Sequence, residues 1–332
     1  MRANSLKVSA PSRLHFGLLS IGDLTTRKFG GAGLMIDAPR TEVSVEPGGA
    51  LQIDAANDVE ASVNSAVSLW QKTYAPELFR DFALQKIPAR LSINHSPRHR
   101  GFGSGTQLAF AVATALQLAF AQPLPSAEEL AMALGRGKRS AIGSYGFFEG
   151  GFLVDRGIEH GTMAPLDMRT DFPEDWKIAL IQPTGSETTP VFGDAEVDAF
   201  RKLPGTTQTQ ADKLASMLKD RILPSVLNQD FATFADAVTQ YGYESGTYYS
   251  SVTGGPYASD AAGKIVDRIR DLGQFAVGQS SWGPTLFAIG PSEKEVNCLV
   301  EKLGDAVEDV ACQIEVVSAD NHGMKVDRVS NS

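Results

Sequence analysis

The sequence predicts an α+β protein of two domains, and three observations carry that expectation. Residues 90–94 read as a strand with Leu91 and Ile93 inward. They lead through Pro97-Arg98-His99-Arg100-Gly101-Phe102-Gly103-Ser104-Gly105-Thr106-Gln107 into a long apolar segment, the pattern of a strand–loop–helix unit. The last third reads as strand (274–277), strand (285–289), helix and strand (312–317), an order that fits a small α+β sandwich. Between these regions Arg169-Thr170-Asp171-Phe172-Pro173-Glu174-Asp175 interrupts the pattern before a new strand at 177–182. The expected domains are therefore residues 1–172 and 173–332.

The remaining elements follow in order. Residues 6–10 are a strand candidate, and at 12–18 polar and apolar residues alternate, which places Arg13 and His15 on the face opposite Leu14 and Phe16. Gly30-Gly31-Ala32-Gly33 reads as a turn, 41–46 and 51–54 as short strands, and 59–74 as a helix. In the glycine loop, glycines permit positive φ and close approach of a ligand, and a helix beginning near Thr106 would aim its unpaired N–H groups and positive dipole end into the loop. Phosphate or pyrophosphate is the natural occupant. The spacing is neither the Walker pattern nor a full dinucleotide fingerprint, and taken alone the loop reads equally well as a tight turn. Residues 108–120 are too few to span a bilayer and read as a buried core helix. Ser126 with Glu129 is a capping box for a helix ending at Gly135, and Ser292 with Glu295 repeats the device before the last helix.

Composition narrows the function. The chain has 332 residues, 42% hydrophobic and 21% charged, ordinary for a folded soluble protein. A net charge of −9 and a pI near 5.1 argue against nucleic acid or an anionic membrane as partner. Basic residues are local instead: Arg98, Arg100, Arg136, Lys138 and Arg139 bracket the glycine loop and the segment after its helix, as a focused site for a small anion would require. The alternative is scattered, solvated surface charge. Cys298 and Cys312 lack metal-site partners and read as reduced, buried thiols. Met1-Arg2-Ala3-Asn4-Ser5-Leu6-Lys7 lacks the apolar core of a secretion signal, so a cytoplasmic location is expected, with small-molecule partners and a homodimer as the assembly.

Four segments mix glycine with small polar or basic residues: 10–17, 97–107, 135–151 and 277–284. This layout resembles the GHMP superfamily of small-molecule kinases. More narrowly, three runs resemble the β-ribofuranosylaminobenzene 5′-phosphate synthase family: residues 103–109, residues 135–147 continuing to Gly150-Gly151-Phe152-Leu153-Val154-Asp155, and Gly278-Gln279-Ser280-Ser281-Trp282-Gly283-Pro284. The resemblance implies a ribosomal-S5-like N-terminal domain and a ferredoxin-like C-terminal sandwich. Kinases of the superfamily often carry Ser-Gly-Ile-Asp ahead of a Gly-Gly pair, the Asp acting on the acceptor hydroxyl. Here the run is Ser140-Ala141-Ile142-Gly143, so Gly143 stands where that acid would be, and the helix glutamate that helps hold magnesium has no counterpart.

As the resemblance implies, the enzyme condenses phosphoribosyl pyrophosphate with 4-aminobenzoate or 4-hydroxybenzoate, releasing carbon dioxide and pyrophosphate in tetrahydromethanopterin biosynthesis. The glycine loop (Gly101, Gly103, Gly105, Thr106, Gln107) would take the pyrophosphate. Arg100 and Ser104 would stabilise its departure, together with magnesium bound on it. Arg13 and His15 are candidates for gripping a phosphate or the benzoate carboxylate, against the alternative of a polar strand face. Arg98, Lys138 and Arg139 could hold a second anionic group, or Lys138 and Arg139 could simply complement a helix end. Ser280, Ser281 and Trp282 would close the cleft, Trp282 stacking on the ring or serving as core. Tyr241, Tyr243, Tyr248 and Tyr249 read as packing. A GHMP-type kinase and a non-catalytic phosphate-ligand sensor are the competing readings.

Overall fold

The alternation at residues 6–18 produces one long strand rather than two. In the computed structural model, which describes residues 3–23, 25–75, 79, 83–95, 99–160, 163–184, 198, 201–306 and 312–328, β1 runs Leu6–Leu18 and pairs antiparallel with β2, Gly31–Pro47. Bulges between Ala10 and Ser12 and between His15 and Gly17 bend it. Gly31 and Gly33 lie inside β2, not in the turn expected for residues 30–33. A Cβ on either would collide with the carbonyl oxygen of Gly17 or Leu14, so these glycines let two backbones approach.

β3 (Gln52–Asp54), β4 (Ala89–Asn94), β5 (Phe152–Asp155) and β6 (Leu166–Thr170) complete most of the first sheet. With β11 (Lys325–Arg328) its main order is β11–β1–β2–β4–β3, with β5 joining the other end of β2 and β6 beyond it. The helix Ser104–Ala119 packs on this sheet and is buried nearly all round, because the helices Asn57–Thr73 and Ile142–Glu149 also pack against it. That burial explains its apolar run. Trp70 Nε1 donates to Gln117 Oε1 at 2.8 Å, so this buried amide near the C-terminal end of the helix is used internally.

The second sheet contains β7 (Lys177–Pro183), β8 (Ala276–Gln279), β9 (Leu286–Gly290) and β10 (Cys312–Ser318), all antiparallel, in the order β10–β7–β9–β8. Helices fill the connections from β7 to β8 and from β9 to β10. The result is the βαββαβ arrangement of a ferredoxin-like sandwich. Period-two alternation sorts its core: Ala179 and Ile181 face the helices Asp260–Leu272 and Glu293–Ala306, whereas Ile178 and Leu180 join a second core. That second core spans both sheets through Phe16, which lies 6.0 Å from Phe152 and 5.2 Å from Phe287 between ring centroids.

The division expected near residue 172 falls between the sheets, but the chain crosses back. β11 (Lys325–Arg328) pairs with β1, and Asp320, almost fully buried, forms an ion pair with Arg40 of β2. The cysteines are free but not buried: Cys298 is exposed on the outer helix and Cys312 half-buried at the start of β10. Among the described residues no helix is long and apolar enough to cross a membrane.

Candidate anion-binding cleft

A cavity of about 770 Å³ is lined by residues of both domains. On one side the glycine loop enters the helix Ser104–Ala119 through Gly103, whose φ of 67° makes it a left-handed N-cap without a side chain. No side chain caps the helix; the Thr106 N–H bonds to the Gly103 carbonyl at 3.0 Å, and the Ser104 and Gly105 amides are left to whatever occupies the cleft. Ser104, Gly105 and Thr106 line the cavity there with Gly101 and Gly103. Arg13 crosses beneath: a Cβ on Gly103 would lie 3.2 Å from its Nε, and one on Gly143 would lie 3.8 Å from its Cδ. Arg136, Lys138 and Arg139 line the adjacent wall. Among the described lining residues there are four arginine or lysine side chains and no carboxylate.

Several expected site residues take other places. Arg98 lies outside the described residues, and Arg100, half-buried, is not among those lining the cavity. Gln107 is fully buried and its Nε2 donates to the carbonyl of Gly143 at 2.8 Å, which ties the glycine-loop helix to the helix Ile142–Glu149. Ser280 is buried as well. Its Oγ donates to the carbonyl of Gly101 at 2.7 Å and accepts the His15 N–H at 3.0 Å, so it stitches the C-terminal loop to both the glycine loop and β1. Ser281, at φ 58°, faces the cleft and donates its N–H to the His15 carbonyl at 3.2 Å. Trp282 lines the cavity half-buried, 4.6 Å from Tyr249 between ring centroids at 57°.

His15 lines the cavity but is no charged grip. Its Nδ1 accepts the Gly17 N–H at 3.2 Å, which leaves Nε2 as the protonated nitrogen, and Nε2 lies 3.0 Å from Ser140 Oγ. Burial, and after it the nearby Arg13 charge, hold its pKa well below the usual histidine value. The ring is neutral and both nitrogens are used. Ser140 Oγ in turn donates to Asp155 Oδ2 at 3.1 Å. Asp155 is fully buried. Burial pushes its pKa up to about 6, restrained by hydrogen bonds from the N–H groups of Ala141 (2.9 Å) and Gly157 (3.1 Å), from Ser140, and by the Arg13 charge.

Arg136 belongs to the basic cluster legible in the sequence, whereas nothing in the sequence assigns Ser140 or Asp155 a role of its own. The tyrosine cluster divides: Tyr241 is core, its hydroxyl donating to the Gly17 carbonyl at 2.9 Å; Tyr248 is buried; Tyr243 is exposed; Tyr249 reaches the cleft. Phe29 and Tyr257 join it there. Among the described residues no group of three His, Cys, Asp or Glu is placed to hold a metal ion.

The fold that carries this cation-lined cleft is shared with solved small-molecule kinases. Residues 222–309 match the GHMP kinases C terminal family, and solved structures of the same fold include a homoserine kinase from Cytophaga hutchinsonii (TM-score 0.67, 17% identity, 98% of each chain covered) and a mevalonate pyrophosphate decarboxylase from Streptococcus pyogenes (TM-score 0.66, 13% identity, 97% of this chain and 98% of that one). Over nearly its whole length the chain is also similar to beta-ribofuranosylphenol 5′-phosphate synthases. The protein of that name from Methanocaldococcus jannaschii is 26% identical over 343 residues (96% of this chain, 99% of that one), and the one from Archaeoglobus fulgidus 26% identical over 341 residues (97% and 99%). Proteins of that name thus resemble this chain at about a quarter of positions over most of its length, and residues 222–309 form a GHMP kinase C-terminal domain.

Proposed function

We propose that the chain is a pentosyltransferase that condenses 5-phosphoribosyl 1-pyrophosphate with 4-hydroxybenzoate or 4-aminobenzoate, giving a β-ribofuranosyl C-glycoside 5′-phosphate for tetrahydromethanopterin biosynthesis. The observation that carries the reading is the cleft itself: Arg13, Arg136, Lys138 and Arg139 beside an uncapped helix start, with no carboxylate among the described lining residues of an acidic protein. A donor with phosphates at both ends suits cations spread along one wall. The glycine loop and Arg13 take the diphosphate, and Lys138 with Arg139 the 5′-phosphate. Loss of diphosphate leaves an oxocarbenium-like ribosyl carbon, which the ring attacks through the carbon bearing its carboxylate; carbon dioxide then leaves and aromaticity returns. The protein contributes placement and stabilisation of the departing charge. Tyr249 and Trp282 supply aromatic surface for the acceptor ring.

The described residues do not form a magnesium cage of their own, and in this reading magnesium arrives on the diphosphate. The name of the relatives, a ribofuranosylphenol synthase, fits the product of 4-hydroxybenzoate. Likeness in fold to homoserine kinase keeps phosphoryl transfer as the rival, yet Gly143 supplies no acid beside Arg13. The deciding assay supplies magnesium, phosphoribosyl pyrophosphate and each benzoate, and measures carbon dioxide and pyrophosphate; a parallel arm measures ADP from ATP with a panel of alcohols. Equimolar carbon dioxide and pyrophosphate are expected. ADP formation without them would overturn the reading, and ligand binding with neither product would mark a sensor.

A further inference from the structure

The family's usual acid is absent at Gly143, but the fold brings another carboxylate to the same helix start. Asp155 ends β5 behind Ser140, and Ser140, half-buried, opens onto the cleft. Resting on the transferase reading, we propose that Ser140 and Asp155 form a proton relay. It takes the para-hydroxyl proton of a phenolic acceptor as the ring attacks, and returns it as carbon dioxide leaves.

Hydrogen-bond accounting supports the direction of transfer. Ser140 Oγ carries one proton, aimed at Asp155 Oδ2, and accepts the His15 Nε2–H at 3.0 Å; its third contact, from the Ile142 N–H, is the longest at 3.3 Å. An incoming hydroxyl replaces that weakest contact. The His15 tautomer, fixed by Gly17, keeps the imidazole from taking the serine proton, so the open direction is toward Asp155. In the forward step the acceptor O–H breaks as a new Ser140 O–H forms, and the original Ser140 O–H breaks as an Asp155 O–H forms. The acceptor's freed electron pair pushes through the ring to make the C–C bond. When the bond to the carboxylate breaks, its electrons restore the ring and the oxygen regains the proton by the reverse path. No proton is consumed.

The groups facing Asp155 leave it as the one that titrates near neutrality. His15 stays neutral, Arg13 stays charged, and burial pushes Tyr145 up to about 12 and Tyr241 well above its ordinary value. An amino acceptor differs, because its nitrogen lone pair drives the same attack without losing a proton.

The test compares wild type with Ser140→Ala, Ser140→Thr and Asp155→Asn, measuring carbon dioxide release from 4-hydroxybenzoate and 4-aminobenzoate between pH 5 and 8. In Ser140→Ala and Asp155→Asn the ratio of hydroxy- to aminobenzoate turnover should fall by about thirtyfold or more. The acidic limb of the hydroxybenzoate kcat profile should disappear, while KM for the donor moves about twofold or less. Ser140→Thr, which keeps the hydroxyl, should restore the ratio. Equal losses with both acceptors, or an unchanged acidic limb, would overturn the relay; so would a wild type that uses only the amino acceptor. A wild type that uses neither acceptor removes the transferase reading, a separate result. If Asp155→Asn fails to fold, the two Ser140 variants decide the question.

Discussion

Ser280→Ala separates a stitch between domains from a ligand donor. Ser280 Oγ is buried and satisfies two main-chain groups, the Gly101 carbonyl at 2.7 Å and the His15 N–H at 3.0 Å, and removing it leaves the buried His15 N–H and the part-buried Gly101 carbonyl without this partner. A buried main-chain group without its partner costs about 1–3 kcal/mol. Two such groups, with the carbonyl the cheaper to leave, amount to a loss of about 2–4 kcal/mol. Equilibrium urea unfolding measures it directly, and an unchanged m-value would show that the denatured state is not the source. Diphosphate affinity should weaken only in step with disorder of the glycine loop. A stability loss under about 0.5 kcal/mol accompanied by a large drop in diphosphate affinity would refute the argument and return Ser280 to the ligand.

The other predictions concern charge. Arg13→Ala should raise the phosphoribosyl pyrophosphate KM or Kd about tenfold or more, since a charge-assisted contact contributes about 1.5–3 kcal/mol, whereas Arg100→Ala should change it about twofold or less; steady-state kinetics that reverse this order would reassign the anion site. Gly143→Asp has room for its Cβ but sets a carboxylate beside Arg13, and kcat/KM should fall about tenfold; a rise would revive the kinase-like acid. Asp155 also predicts a pH effect on stability. Its pKa is higher folded than unfolded, so the folded state holds the proton longer, and stability falls as pH rises from the ordinary value of 3.8 through about 6. For a fully buried group that rise corresponds to about 3 kcal/mol. Urea midpoints at pH 4.5 and 7.5 should therefore show a smaller difference in Asp155→Asn than in wild type.

What the sequence revealed follows the range of the interactions involved. The capping box at Ser126 and the core helix expected at 108–120 are local patterns, and both form, the helix running Ser104–Ala119. The α+β order of the last third was legible because β8, β9 and β10 follow one another with a single helix between the last two, whereas the ferredoxin-like sandwich that adds the distant β7 was implied only by the family resemblance. Gly31 and Gly33 were misread as a turn because only the partner strand shows why a side chain is excluded there. The site was half legible. Basic residues beside glycines marked the cleft, but Arg13 and Arg100 look alike in a string of letters, and only the bend of β1 turns one of them under the loop. His15, Ser140 and Asp155 come from three distant positions, and no spacing rule joins them. Ser280 carried the right motif and a different task, because small polar residues that fasten a loop and those that hold a ligand have the same composition. Cys298 was expected to be buried from residue type alone, whereas it lies on the outward face of an amphipathic helix.

The return of the chain's far end to the first sheet has a consequence for synthesis. Arg40 lies deep in β2, and its carboxylate partner, Asp320, is made 280 residues later; Leu6 of β1 waits still longer for Arg328. A ribosome that has released the whole N-terminal sheet therefore presents one with a naked edge and an inward-pointing cation lacking its counter-charge. Both conditions disfavour early consolidation, and the β1 edge stays open to pairing with a neighbouring chain until β11 covers it. Residues 320–328 act as a latch, and native structure in the first half becomes contingent on translation having passed them.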